Sequence, residues 1–318
     1  MLLFTSIPPR FSRKDSRTGE EIGHAYLAAC VESWRRNGFQ PISINRPDEA
    51  ESIRQMGIIE VHAADMSEAH EPTRFGPPLA AIFDSFPEDA PAAIINADVY
   101  LMNANLADVI RSLPRKSLIA GRRADVDFLG AETGETFLLG YDFFATHRSE
   151  IGPIVNHAGI RRFQLGAPWW DYVFPVACLS AVKPYRLREP LLIHQKHEDR
   201  WNPGIWEGLA IESCKALAEI DPSGFRPLLY GFDGTPAPGS QIALACHARL
   251  FSDTFEELPV PISPCRFFNT LPVLQEPPAS VKILDSALRP PKKGLVRRLV
   301  HGLRDILRVW RRHLGLIA

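Results

Sequence analysis

Short apolar runs rich in β-branched residues alternate with segments of helical spacing through the first 123 residues, and few folds accept that alternation. The runs are LLFTSI (2–7), QPISIN (40–45), IIEVHAA (58–64), AAIINADVYL (92–101) and SLIAGRR (117–123). Pro8-Pro9 closes the first, because proline has no backbone N–H to donate. Residues 20–37 put Ile22, Tyr26, Ala29, Cys30, Ser33 and Trp34 on one side of a helix that Gly38 stops. Residues 77–86 and 105–113 read as further helices. A strand–helix–strand repeat predicts an α/β fold, a mostly parallel sheet with helices on both faces. With 318 residues, 45% of them hydrophobic, the chain can fill the core of one large domain with an extension, or of two modest domains.

A net charge of −1 hides an asymmetry. Residues 292–318 carry eight Lys/Arg against a single acid, Asp305, so the body is acidic and the tail basic. Five scattered cysteines without a CxxC pair read as reduced thiols, not as a disulfide frame or a zinc knuckle. The opening apolar run is too short for a signal peptide, and no run reaches the roughly 18 residues of a membrane span. A cytoplasmic location is therefore expected.

An aspartate at the end of a buried strand needs a reason. In parallel sheets ligands bind beyond the carboxyl ends of the strands, where Asn96-Ala97-Asp98 falls; a turn that satisfies its own amides is the plainer alternative. GAPWWDYVFP (166–175) gathers two tryptophans and a carboxylate between prolines. Trp170 suits the apolar face of a sugar, and Asp171 suits a general base or a carboxylate at a helix start. Asp142 in GYDFF, flanked by aromatic residues, is a second candidate base or sugar contact, or a turn-capping acid in a core strand. His194 and His197 in HQKH are metal-ligand types; if 191–197 is a strand, a spacing of three sends them to opposite faces. Arg10, Arg122 and Arg123 lie at strand ends with guanidinium forks suited to phosphate oxygens.

The order of TSIPPRF (5–11), SINRPDE (43–49), INADVYL (95–101), GRR (121–123), GYDFFAT (140–146), GAPWWDYVFP (166–175) and IHQKHEDRW (193–201) resembles a glycosyltransferase-like family of GT-A fold. The resemblance covers residues 1–205 and fades after Trp201. It implies a Rossmann-type mixed sheet and a nucleotide-sugar donor held through an N-x-D or D-x-D element with Mn²⁺ or Mg²⁺. Asp98 would be the first metal ligand, with Asn96 beside it where the usual motif has aspartate. His194 or His197 would supply a further ligand. Thr5, Ser6, Arg10, Asn45, Arg122, Arg123 and Trp170 would line the donor site, while Asp142 and Asp171 would serve the reaction. The acceptor would be a glycan or lipid-linked. A non-catalytic nucleotide- or glycan-binding module is the alternative, favoured by Asn96. A hydrolase metal site of Asp171, His194 and His197 is a weaker third.

Beyond residue 205 the expectation is a helical extension (206–257, with helices at 204–220 and 240–256), then a proline-rich linker or strap (258–291). Residues 292–318 are expected to form a basic amphipathic helix, with leucines, valines, Ile306 and Trp310 on one side and five arginines opposite. That pattern fits the surface of an anionic membrane better than nucleic acid, which has no use for the apolar face. A helix packed on the body or on a partner chain is the plainer alternative to a membrane-bound one.

Overall fold

The computed structural model describes residues 1–260 except 103, 132, 138–139, 189–190, 198–201, 231–233 and 252–254, with the backbone of Lys282–Ile283. In chain order the first half runs β1 (Leu2–Thr5), α1 (Gly23–Arg36), β2 (Gln40–Asn45), α2 (Pro47–Arg54), β3 (Glu60–Ala63), α3 (Leu79–Asp84), β4 (Pro91–Ile95) and β5 (Val99–Leu101). It continues through α4 (Leu106–Ser112), β6 (Ser117–Gly121), β7 (Arg123–Val126), β8 (Thr133–Thr136) and β9 (Phe143–His147). The second half runs α5 (Gly152–Val155), α6 (Ala158–Arg161), α7 (Trp170–Cys178), β10 (Lys183–Leu187) and β11 (Leu192–Gln195). Three helices follow, α8 (Pro203–Ile220), α9 (Pro222–Tyr230) and α10 (Gly239–Leu250), then β12 (Glu256–Leu258) and β13 (Lys282–Ile283).

The main sheet has the order β12-β10-β6-β9-β4-β1-β2-β3. Its pairs are parallel except where β9 runs against both β4 and β6. The expected α/β class holds: a mixed, mostly parallel sheet with helices on both faces. Alternation along β4 shows why both faces are covered. Ala92 and Ile94 join the core that holds α3, α7, α8 and α10, whereas Ala93 and Ile95 join the core under α1, α2 and α4.

From β1 the chain adds β2 and β3 on one side, then returns to place β4 on the other. Such a switch opens a crevice outside the carboxyl ends of the two strands. A second sheet, ordered β13-β8-β7-β11-β5, lies beyond that end.

Three elements differ from the sequence expectation. The run 92–101 is not one strand. It turns at Asn96, whose N–H donates to the Asp142 carbonyl at 3.1 Å while Val99 N–H donates back to Asn96 at 3.3 Å, and it resumes as β5 in the second sheet. The run 117–123 likewise divides at Arg122, with β6 in one sheet and β7 in the other. The helix expected over 240–256 stops at Leu250, and Glu256–Leu258 pairs with β10 as an added strand of the main sheet.

The described residues all belong to one compact unit, Met1–Ile283. Most of the proline-rich segment 258–291 and all of 292–318 lie outside the described residues. Among the described residues no helix is long and apolar enough to cross a membrane.

Candidate metal centre

The turn after β4 is held from behind by α1. Tyr26, Leu27, Cys30, Val31 and Trp34 form its buried face, at the spacing a helix requires. From that face the Tyr26 hydroxyl donates to the Asp98 carbonyl at 2.9 Å and accepts from the Gln195 N–H at 3.0 Å. The Trp34 indole donates to the Val99 carbonyl at 2.8 Å, and the Ser33 hydroxyl accepts from Leu101 N–H at 2.9 Å. The Asp98 backbone is thus fixed by buried hydrogen bonds, and its side chain, 21% exposed, points into the space between the two sheets' strand ends.

Strand register brings the rest. His194 on β11 stands opposite Asp125 on β7 and Val99 on β5. Its Nδ1 lies 2.9 Å from Asp125 Oδ1, and its Nε2 lies 3.2 Å from Asp98 Oδ2. His197 Nε2 approaches the same oxygen at 3.4 Å. The expected divergence of the two histidines does not occur, because β11 ends at Gln195 and the chain turns before His197. The two imidazoles lie 5.0 Å apart, edge to face.

Asp98, His194 and His197 each offer a ligand atom, all within 4.8 Å of one another. One carboxylate and two imidazoles suit a divalent transition metal, Mn²⁺ better than Mg²⁺. The contact of His194 Nδ1 with a carboxylate is how metal-ligating histidines are commonly oriented. The donor set fits a metal.

Charge radiates from this cluster in alternating sign. Arg13, 5% exposed, donates to Asp98 Oδ2 at 2.8 Å and to the Gln195 carbonyl at 3.0 Å, its guanidinium stacked 5.0 and 5.1 Å from Phe11 and Tyr26. Arg123 donates from Nε to Asp125 at 2.8 Å and from Nη1 to both Asp142 oxygens at 3.0 and 3.1 Å. The Asn96 amide also donates to Asp142. Burial would push the Asp98 carboxyl up, but the His194 charge, hydrogen bonds from both histidines and Arg13 together hold it well below the usual range. Burial likewise works against charge on His194, yet Asp98 and Asp125 carry its pKa up to about 9. Asp125 ends below its ordinary value, because His194 and Arg123 outweigh its burial.

At the far end of this chain of charges sits Asp171, in the first turn of α7. Burial, and next the Asp142 charge, push its carboxyl up to about 7. Trp169 just before it adopts a left-handed φ of 82°, unusual for a bulky residue, and is pinned there by its indole donating to Trp206 at 2.9 Å. A Cβ on Gly140 would stand 3.1 Å from Asp171 Oδ2, so that glycine leaves the carboxylate its room.

The remaining sequence candidates separate. Trp170 is 2% exposed and packs edge-on against Phe144, so its ring is core and offers no face to a sugar. Asn45 is fully buried and its amide is used up, donating to Ile7 O and Ser6 Oγ and accepting from Ser43; it ties β1 to β2. Thr5 is buried, its hydroxyl without a hydrogen-bond partner among the described residues, and Ser6 is half-buried at the switch point. Arg10 is exposed beyond the Pro-Pro turn. Arg122 and Arg123 do not act together: Arg123 enters the charge network, while Arg122 stacks over Phe251 at 5.5 Å. Asp142 is buried but already ion-paired, so its part is to set the field around Asp171.

Arg13 and Asp125 are absent from the sequence candidates. Asp125 had a signal, since Arg123 and Asp125 alternate with buried Ala124 and Val126 and so share one face of β7. Arg13 had none; it reaches a partner 182 positions away. Compared with protein-family profiles the chain matches none, and no curated protein sequence aligns with it significantly.

Proposed function

We propose that the chain is a metal-assisted glycosyltransferase of GT-A type, taking a nucleotide-sugar donor. The observation that carries this reading is the convergence of Asp98, His194 and His197 next to the β1/β4 switch point. A divalent cation bound by these three side chains would neutralise the leaving diphosphate. Arg13 and Asp125 orient Asp98 and His194, and Arg10, exposed past the end of β1, is placed to meet phosphate oxygens.

Asp171, with a pKa near 7, can take a proton from an acceptor hydroxyl at neutral pH, which is the property a general base needs. Asp142, ion-paired with Arg123, lies close enough to raise the Asp171 carboxyl. A glycan or lipid-linked acceptor follows from the resemblance and from the basic amphipathic sequence at 292–318, which suits peripheral attachment to an anionic membrane.

One observation favours a second reading, a non-catalytic nucleotide- or glycan-binding module: the Asn96 amide is turned to Asp142 and not to the metal ligands. Slow hydrolysis of the donor without acceptor separates the two, since a module gives none. The first test is calorimetric titration of UDP, then GDP, with and without Mn²⁺, on wild type and Asp98→Ala. Metal-dependent binding lost in the variant is expected; no binding of either nucleotide would overturn the donor reading.

A further inference from the structure

Arg122 follows β6, two positions beyond Ala120, and Ala120 is the register partner of Arg186 on the parallel strand β10. The two arginines therefore emerge on the same face of the main sheet, the face that carries α7 and α10. Arg122 is half-buried, and apart from its stacking on Phe251 its guanidinium makes no hydrogen bond or ion pair among the described residues. Burial, and next the Arg186 charge, lower its pKa, so the two cations lie close enough to repel.

Neighbouring acids do not neutralise the pair. Arg186, 16% exposed, reaches Glu257 at 3.3 Å, but Arg188 holds the same carboxylate at 3.2 Å. Glu256 is engaged by Lys183 at 2.6 Å. Two guanidinium groups thus share one carboxylate, and Arg186 Nε is buried with no hydrogen-bond partner among the described residues. The Tyr141 hydroxyl, alongside, donates to the Leu250 carbonyl at 2.9 Å and interacts with the Arg186 guanidinium, but it is neutral and brings no counter-charge. A buried N–H without an acceptor and a half-buried cation without a direct ion pair are each costly, and here they lie on one face of adjacent strands.

We propose that Arg122 and Arg186 form an oxyanion-binding site that takes a phosphate group. The guanidinium fork offers paired N–H donors to such oxygens, and an anion between the two arginines would relieve their repulsion and occupy the orphaned Nε. The site is distinct from the Asp98 centre: Arg123, the next residue, turns its charge to Asp125 and Asp142, while Arg122 turns away from them.

The test is phosphate affinity of the full chain, from thermal shift and calorimetry, against sodium chloride of equal ionic strength and without divalent metal or nucleotide. Failure here therefore leaves the nucleotide titration above untouched. Wild type should show a phosphate-specific rise in melting temperature, and Arg122→Gln and Arg186→Gln should each weaken phosphate about tenfold or more. Arg122→Lys, keeping the charge without the fork, should fall between, and Glu257→Gln should bind more tightly. In phosphate-free buffer Arg122→Gln should melt no lower than wild type, which a purely structural arginine would not allow. A parallel titration with methyl phosphate separates a site for free phosphate from one that accepts an esterified phosphate. Absence of a phosphate-specific shift in wild type, or Gln variants that bind phosphate as tightly as wild type, overturns the proposal.

Discussion

His194 Nδ1 lies 2.9 Å from Asp125 Oδ1, and this contact decides which imidazole nitrogen faces Asp98. With Nδ1 carrying the proton toward Asp125, the Nε2 lone pair is presented to the cluster once His194 is neutral. Asp125→Asn should therefore weaken Mn²⁺ binding about 10–100-fold while leaving all three ligands in place. Calorimetric titration with Mn²⁺ checks this, and Asp98→Ala or His194→Ala should abolish the heat.

Metal binding should be coupled to a proton. His194 has a pKa of about 9 without metal, so at pH 7.5 it is protonated and must release that proton to ligate. Affinity should rise about tenfold per pH unit up to pH ~9 and then level off. Titrations in buffers of different ionisation enthalpy should report about one proton released at pH 7.5. For the metal-free protein the sign is opposite. A pKa raised from the ordinary histidine value gives stability that is full below pH ~6.5 and lost as pH rises through about 9.

Asp171 carries a pH signature of its own. Its carboxyl is raised from the usual range to about 7, so its contribution is greatest when it is protonated and is lost as pH rises through 7. Asp171→Asn, neutral throughout, should show a flatter stability profile between pH 5 and 8 and unfold at higher urea than wild type at pH 8. Under the proposed transferase the same variant should lose about 10²–10⁴-fold in kcat.

Arg123 joins Asp125 to Asp142, and the Asp142 side chain is 3% exposed. Arg123→Met should cost about 3–5 kcal/mol in urea unfolding, since a buried carboxylate is left without its counter-charge. Adding Asp142→Asn to that variant should recover part of the loss.

Tyr26→Phe removes a hydroxyl that both donates to Asp98 O and accepts from Gln195 N–H. The expected loss is about 1–3 kcal/mol for groups left unsatisfied, with weaker Mn²⁺ binding because the turn bearing Asp98 loosens. A linear urea series with and without Mn²⁺ separates the two effects.

Much of the fold is legible in the sequence because the core is repetitive. Ala92 and Ile94 against Ala93 and Ile95 give β4 both its faces, and Tyr26, Cys30 and Trp34 mark the inner side of α1. Asp98 is legible too, as a carboxylate out of place in an apolar run. The break at Arg122 is not, since SLIAGRR carries no mark of two sheets meeting there. Trp170 misleads for a physical reason: a Trp-Trp-Asp cluster looks like a binding surface until Trp206, far along the chain, packs over Trp169 and closes it. That both histidines face Asp98 depends on where β11 ends, and that is settled by its pairing with β5 and β7.

Arg13 and Gln195 meet across 182 positions, and Asp98 and His194 across 96. No contiguous fragment shorter than the span from Arg13 to His197 can hold the cluster. A protease cut that released either end would leave neither half with partial affinity. Bound Mn²⁺ would then slow amide exchange of strands on both sheets together, and its release would mark the point at which the whole sheet system gives way.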